Sequence, residues 1–215
     1  MNISIPYGQR QLKVALNVDA LVLEPKRQTI EPIGMALAAP IGTPPLHELV
    51  HAGQSIAIVT SDITRPCPTN AMLPPLMEEL AQAGVRDEDV TVIFALGIHR
   101  IQTPEERARL IGPEMAMRLR CIDSDPDEVV HVGTTSRGTP IEVFKQVVKA
   151  DIRVALGSVE PHYFAGYSGG AKALVPGVCS KTTIQHNHSM MVQPGARTGV
   201  LDGNPVREDI EEGAA

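Results

Sequence analysis

The residues best suited to chemistry lie in three polar segments, each directly after a short apolar run. The segments are Ser61–Pro66 (SDITRP), Gly97–Arg100 (GIHR) and Gly157–Lys172 (GSVEPHYFAGYSGGAK). Two of them contain a histidine, His99 and His162, and an imidazole gains or loses a proton near neutral pH. Two such side chains are suited to act as acid and base on one substrate.

Each polar residue in these segments also has a simpler explanation. Asp62 can cap a turn, Arg65 can form a surface ion pair, and a single loop histidine usually has ordinary hydrogen-bond partners. Similar groups nevertheless recur after three separate apolar runs. If those runs are parallel strands, the segments meet at the carboxyl edge of one sheet, where open α/β sheets bind ligands. The pattern would then gather Asp62, Arg65, His99, His162 and Lys172 at one site.

The glycine-rich end of the third segment (GYSGGAK) resembles a phosphate-binding loop only superficially. Such a loop needs glycine directly before its lysine and serine or threonine after it, whereas Ala171 and Ala173 flank Lys172. The glycines still permit close approach of a ligand. A solvated lysine on a flexible loop is one interpretation. The apolar residues 173–176 favour a lysine at the edge of a core, where desolvation makes the amine a better nucleophile.

Two further histidines, His186 and His188, lie two positions apart. On a helix they would face different directions, so at most one can enter a shared site. The common metal-binding spacing of four residues is absent, and no cysteine cluster accompanies them. The residues by themselves do not establish a metal site here.

The hydrophobic pattern predicts the elements that would position these segments. Buried strands are expected at Ser55–Thr60, Val90–Leu96 and Ile152–Leu156, and helices at Ala71–Ala83, with Pro74 and Pro75 in its first turn, and at Ile141–Val148. Another helix should begin at Thr103, with Glu106 completing a capping box. Apolar strands separated by helices predict an α/β fold: a largely parallel sheet with helices on both faces, in a Rossmann-like layered domain.

Composition narrows the class of protein. The 215 residues are 43% hydrophobic but only 3% aromatic, so the core must be mainly aliphatic. The net charge of −6 and the absence of a basic stripe argue against a nucleic-acid partner. No leader pattern is recognisable, and no apolar stretch approaches the roughly 18 residues that would suggest a membrane span. A membrane partner is therefore not expected. Three widely spaced cysteines indicate a reduced, cytoplasmic protein.

The end of the sequence predicts one more helix. Asn204–Pro205 is a favourable start, and Val206 and Ile210 begin an apolar stripe. A helix that stops within about two turns is expected to have little to pack against and to be marginal. We therefore expect a truncated sequence.

Several motifs together resemble one known family. They are SDITRPCPT, GIHR, EPHYFAGYSGGAK, LVPGV, the spaced His188 and GNPVREDI, which together span roughly Ser61 to Ile210. Each short motif is weak by itself, but the combination resembles the lactate racemase family, whose cofactor is a nickel-pincer nucleotide. The resemblance implies that residues 1–215 form the N-terminal, cofactor-carrying domain of such a protein and that the family's C-terminal domain is absent.

The resemblance also implies a role for each site residue. Lys172 would attach the cofactor (pyridinium-3,5-bisthiocarboxylic acid mononucleotide) as a thioamide, and His188 would bind its nickel. His99 and His162 would be the catalytic acid and base. The cofactor nucleotide would be held by Asp62, Ile63, Thr64 and Arg65, with Arg65 also near the substrate carboxylate.

The activity that follows is racemisation or epimerisation of a 2-hydroxy acid by reversible hydride transfer. One histidine would take the hydroxyl proton and the cofactor would accept the Cα hydride, leaving a planar keto acid. The hydride would return to either face, and its return to the opposite face would invert the centre. Each histidine would serve one enantiomer. The implied partners are a small-molecule 2-hydroxy acid, cofactor-synthesis and nickel-insertion proteins, and the C-terminal domain, which would supply further substrate contacts.

Three alternatives stay open. The substrate of a related epimerase could be a larger 2-hydroxy acid, such as malate, an aryl lactate or a sugar acid. The chain could be a non-catalytic cofactor-binding module or an inactive fragment, although such a module needs only Lys172 and His188, and both His99 and His162 are present. Without the resemblance, Lys172 could instead form a Schiff base with a keto acid.

Overall fold

The computed structural model describes residues 1–8, 10–18, 20–21 and 32–215. Contacts divide the chain into two compact units, Met1–Glu31 and Pro32–Ala215. In the first unit, β1 (Asn2–Tyr7) and β2 (Arg10–Ala15) form an antiparallel hairpin, with Asn2 opposite Ala15.

The second unit alternates strands and helices along the chain. Its strands are β3 (Ile56–Ser61), β4 (Val90–Ala95), β5 (Arg120–Asp123), β6 (Val129–Thr134), β7 (Pro140–Phe144), β8 (Ile152–Ala155), β9 (Pro161–His162) and β10 (Gly166–Tyr167). Its helices are α1 (Ile33–Ala38), α2 (Leu46–Leu49), α3 (Thr69–Gln82), α4 (Pro104–Ile111), α5 (Pro113–Arg118), α6 (Lys145–Lys149), α7 (Lys181–Ser189) and α8 (Pro205–Ala214). Short 3-10 turns lie at Asp87–Asp89, Gly170–Ala173 and Met190–Val192.

A four-stranded parallel sheet in the order β5-β4-β3-β8 forms the centre of this unit. The central strand β3 pairs with β4 and β8, and Ile56 lies opposite both Val90 and Ile152. The three predicted strands are confirmed as neighbours, with ends that differ from the prediction by at most one residue. Their carboxyl ends lie at the same edge of the sheet, as the sequence pattern predicted.

Alternate residues of the sheet pack on opposite faces. Ile58 and Phe94 are fully buried on one face with Leu73 and Leu80 of α3, together with residues of α4 and α5. Val59 and Ile93 are buried on the other face, against β7, α6 and residues 173–179. Both faces are therefore covered, and the predicted layered α/β fold is confirmed.

Two helix predictions need correction. Pro74 and Pro75 lie in the interior of α3 rather than in its first turn, because the helix begins earlier, at Thr69. The predicted helix at Ile141–Val148 is wrong over its first half: residues 140–144 form β7, which pairs antiparallel with β6. The buried Ile141 and Val143 alternate with the less buried Glu142, and burial of every second residue is characteristic of a strand. Only Lys145–Lys149 is helical.

Both predicted helix starts are confirmed. Thr103 and Glu106 form the full capping box of α4, and the Asn204 side chain accepts hydrogen bonds from Val206 N and Arg207 N at the start of α8. The expectation that α8 has little to pack against is wrong. Val206 and Ile210 are fully buried beside Phe164 and Met190.

Candidate active site

Asp62 is the buried anchor of the loop that follows β3. Its Oδ1 accepts hydrogen bonds from Thr64 N at 3.2 Å and Thr64 Oγ1 at 2.7 Å, so it caps the turn. Its Oδ2 lies 2.6 Å from His99 Nδ1 in the loop after β4. The Asp62 carboxylate therefore caps the turn with one oxygen and holds His99 with the other. Capping a turn and belonging to a site are thus compatible for this residue.

The contact with Asp62 orients the His99 imidazole. The Asp62 side chain is only 3% exposed, whereas the His99 side chain is 40% exposed. An ionised carboxylate can only accept, so His99 Nδ1 donates and Nε2 is left as an acceptor in the neutral ring. Gly97 makes this loop possible, because its φ of 56° is poorly tolerated by other residues. His99 N then closes a turn on Leu96 O at 2.8 Å.

His162 lies in the loop after β8, on the small hairpin formed by β9 and β10. Its Nδ1 accepts a hydrogen bond from Ala165 N at 3.2 Å, so the neutral ring carries its hydrogen on Nε2. Burial, followed by the charges of Lys172, Arg65 and His188, lowers the His162 pKa to about 4. The two neutral rings therefore present different atoms: His99 offers a lone pair at Nε2, and His162 offers an N–H.

Phe164 lies between His162 and His188. Its buried ring meets His162 edge-on with centroids 4.6 Å apart, and meets His188 edge-on at 5.0 Å. The exposed ring of Tyr163 stacks on His162 at 5.1 Å. Such offset and edge contacts are the favoured aromatic geometries, so they restrict the orientations of both imidazoles.

His188 and His186 face different directions on α7, as the sequence predicted. His188 is half-buried, its Nδ1 has no hydrogen-bond partner among the described residues, and its pKa is lowered by burial and by Lys172. His186 is exposed, and its Nδ1 lies 3.0 Å from Thr139 Oγ1. Of the two, only His188 adjoins the group around Phe164 and Lys172.

Lys172 lies on the 3-10 turn at Gly170–Ala173, at the edge of the core as predicted. Burial, followed by the positive charges of Arg65 and Arg207, lowers the pKa of its amine to about 8. Roughly a tenth of this amine is therefore neutral and nucleophilic at pH 7. Gly166 lets the segment at Val200 pack directly against this loop, because a Cβ at position 166 would overlap the Val200 carbonyl oxygen.

The remaining predicted residues lie in the loop after β3. Ile63 N donates to Gln102 Oε1 at 2.8 Å, so this backbone group is already satisfied. Thr64 and Arg65 are exposed, and the Arg65 charge reaches both Lys172 and His162. Ser158 Oγ donates to Pro66 O at 2.9 Å and joins this loop to the one after β8.

The side chains at this edge of the sheet therefore form two groups. Asp62, Thr64 and His99 form the first, and Arg65, His162, Lys172 and His188 form the second. Within the described ranges, no three His, Cys, Asp or Glu side chains are arranged to hold a metal ion. In the same part of the chain, no helix is both long and apolar enough to cross a membrane.

Two further residues shape this site and were not predicted from the sequence. Phe164 contacts both imidazoles of the second group, and Arg207 of α8 donates to Tyr167 O at 3.3 Å beside the lysine turn. The aromatic run His162–Phe164 was a visible signal for the first contact. Nothing local in the sequence indicated the second, because Arg207 is 40 positions from Tyr167.

Fold and site together define a class: α/β domains that present histidines and a partly desolvated lysine at the carboxyl edge of a parallel sheet. A family model described as the lactate racemase N-terminal domain matches residues 2–199, and the chain belongs to this family.

Individual relatives agree with this assignment. The chain is 34% identical to a lactate racemase of Thermoanaerobacterium thermosaccharolyticum and 30% identical to one of Lactiplantibacillus plantarum, in each case over 97% of this chain and 52% of the relative. It thus spans about half the length of these curated relatives. The solved lactate racemase apoprotein from T. thermosaccharolyticum superposes with a TM-score of 0.82 at 34% identity, over 100% of this chain and 53% of that chain. A Thermotoga maritima protein at 23% identity shares the fold, with a TM-score of 0.69 over 90% of this chain and 49% of its own.

Proposed function

We propose that this chain is the cofactor-carrying part of a 2-hydroxy acid racemase or epimerase that acts on lactate or a relative. One observation carries the proposal. A lysine with a lowered pKa and two histidines held in opposite tautomers lie in loops at one sheet edge. Racemisation through a hydride acceptor requires an attachment point and proton carriers.

The residues present fit a nickel-pincer nucleotide. The Lys172 amine would attach it, and His188, whose buried Nδ1 has no hydrogen-bond partner among the described residues, would bind its nickel. When bound, the cofactor supplies the hydride acceptor. Thr64 and Arg65 are exposed, and the Arg65 guanidinium would contact the nucleotide. Thr64 donates its N–H and its hydroxyl hydrogen to Asp62, so it would contact a nucleotide only as an acceptor. Both carboxylate oxygens of Asp62 are engaged. Asp62 therefore serves the site better by orienting His99.

The chain's own residues would manage the proton. His99 Nε2 takes the hydroxyl proton of one enantiomer, and the Asp62 carboxylate stabilises the resulting imidazolium. His162 would donate an N–H hydrogen bond to the substrate oxygen. To protonate that oxygen, its Nδ1 would first release the Ala165 N–H and take a proton from solvent, and His99 would return the substrate proton to solvent. The exposed Arg65 guanidinium would pair with the substrate carboxylate.

A chiral assay tests the proposal. The chain would be produced with cofactor-synthesis and nickel-insertion proteins, together with the second half that its relatives contain, and incubated with each lactate enantiomer. Conversion in both directions is expected, and His99→Ala and His162→Ala should each abolish it while nickel is retained. Near-normal turnover in either variant would remove that histidine from the proposed role.

The second candidate, a cofactor-binding module without activity of its own, is favoured by one observation: the chain spans about half of its curated relatives. It predicts an attached cofactor and no conversion by this chain alone. Conversion that appears only when the second half is supplied would assign the chain the cofactor-carrying role within a two-part enzyme. Trapping of a keto acid on Lys172 by borohydride would instead favour Schiff-base chemistry.

A further inference from the structure

Asp209 of α8 is a fully buried carboxylate outside the residues assigned above. It accepts hydrogen bonds from Thr135 Oγ1 at 2.5 Å, from Thr139 Oγ1 at 2.9 Å and from Asn187 Nδ2 at 2.8 Å. Burying a carboxylate is costly unless its oxygens are satisfied. Here three neutral donors satisfy it, and no cation within the described residues forms a salt bridge with it.

The three donors come from separate parts of the fold. Thr135 and Thr139 flank the turn between β6 and β7, whereas Asn187 lies on α7. Asp209 therefore fastens the hairpin and α7 to α8 at one point. The Thr139 hydroxyl donates its only hydrogen to Asp209, so the neighbouring His186 Nδ1 must be the donor in its contact with Thr139.

Asn187 is the member of this network that leads to the candidate site, because it directly precedes His188. Its side chain is fully buried, and its amide also donates to Val206 O at 3.1 Å. Both hydrogens of the amide thus bind α8. The start of α7 is held by Thr183, whose hydroxyl donates to Pro140 O at 2.7 Å. The two Asn187 bonds hold the later turn, which carries His188.

We infer that Asp209 is a positioning residue for His188: its buried carboxylate holds Asn187 and thereby fixes the turn of α7 that presents the His188 imidazole beside Lys172. The inference rests on the proposed function, in which His188 binds nickel. Metal-binding histidines depend on supporting hydrogen bonds for their orientation, and losing such support weakens the metal site.

The test compares histidine NMR spectra of the full chain without cofactor. With 13C-labelled histidine, the Cε1–Hε1 signal of His188 is identified by its loss in His188→Gln. Asp209→Asn is nearly isosteric but supplies one acceptor oxygen in place of two, so it should displace or broaden the His188 signal. Asp209→Ala removes every acceptor and should displace it further in the same direction. The His99 signal should stay in place in both variants.

Glu212→Ala is the matched control. Glu212 also fastens α8 to the β6–β7 turn, through Ser136 N and Ser136 Oγ, but it has no bond to α7. This control should leave the His188 signal unchanged. The inference is overturned if folded Asp209→Asn keeps the parent signal, or if Glu212→Ala moves the signal as far, since general loosening of α8 would then be the cause.

Nickel retention separates this inference from the proposed function. In the cofactor-loaded protein, Asp209→Ala should lose nickel to a chelator roughly tenfold faster than the parent, at the lower end of the effect expected for removing support from a metal ligand. A parent that never acquires nickel would refute the proposed function, and the NMR comparison would still decide whether Asp209 positions His188. A loaded Asp209→Ala that keeps nickel as long as the parent would overturn the inference alone.

Discussion

His99 Nδ1 lies 2.6 Å from the Oδ2 of Asp62, and this contact joins the loops after the two central strands β3 and β4. The carboxylate is buried and the imidazole is half-exposed, so the pair presents Nε2 outward with its lone pair free. In the proposed function this arrangement prepares His99 as a base, whereas His162 is held by Ala165 N in the opposite tautomer.

Replacing Asp62 by asparagine should remove this preparation. An amide can present its N–H to His99 and stabilise the wrong tautomer, so we expect racemisation to fall by about 10²–10⁴-fold, the range of general acid–base catalysis. Thr64→Val is the comparison variant, because it removes one hydrogen bond to Asp62 and the 3.4 Å contact with His99 Nδ1 but keeps the carboxylate; it should reduce the rate by about tenfold or less. The measurement is kcat for each enantiomer. Equal effects of the two variants would contradict the assigned role of Asp62.

The low pKa of His162 predicts how stability depends on pH. An ordinary histidine titrates near 6.5, whereas His162 in the folded protein titrates near 4 because of burial and neighbouring positive charges. Between these values the unfolded chain binds more protons, so the free energy of unfolding should decrease as pH falls from about 6.5 to about 4.

His162→Gln isolates this contribution, because glutamine does not titrate. Denaturant unfolding at pH 7 and pH 5 should show a smaller loss of stability in the variant than in the parent. Some loss should persist, since the His188 pKa is lowered in the same direction. If parent and variant lose stability equally between the two pH values, His162 does not have the environment described.

The Lys172 amine should react in a distinctive pH range. Burial and the charges of Arg65 and Arg207 lower its pKa to about 8. Its acylation by acetic anhydride, followed on the Lys172 peptide by mass spectrometry, should therefore rise to a plateau with a midpoint near pH 8, well before an Nα-acetyl-lysine standard does. Arg65→Gln should move this plateau to higher pH. A profile identical to that of the standard would show a fully solvated lysine.

Sequence pattern predicted the sheet well because buried parallel strands are continuous apolar runs. The β6–β7 hairpin was missed because residues 141–148 combine a strand alternation with a short helix, and a single period cannot describe both. Strand β5 was missed because charged residues stand at both of its ends, Arg120 and Asp123, so it is not a continuous apolar run. Both are local ambiguities that packing against the sheet resolves.

Likewise, only part of the candidate site could be predicted from the sequence. The gathering of residues at one edge follows from strand direction alone, so the sequence predicted it. The pairing of Asp62 with His99 depends on the register of β3 against β4, and the network around Asp209 joins residues 22 to 74 positions apart. Such contacts arise from tertiary packing, and no local spacing indicates them.

Nickel retention should distinguish the two histidines of α7. His188→Ala should lose most of the nickel, because its imidazole is the proposed protein ligand, and should still carry the covalent cofactor. His186→Ala is the matched control, since its exposed ring contacts Thr139 and faces away from Lys172. Metal analysis after gel filtration is the readout. Equal nickel loss from both variants would indicate an ordinary surface histidine cluster.

The central claim is that Lys172 attaches the cofactor, and intact mass spectrometry tests it most directly. The parent and Lys172→Ala would each be produced together with the cofactor-synthesis proteins. The account predicts a mass increment on the parent, located on the Lys172 peptide, and none on the variant. An increment that survives in Lys172→Ala, or no increment on the parent under conditions that load a known lactate racemase, would contradict it.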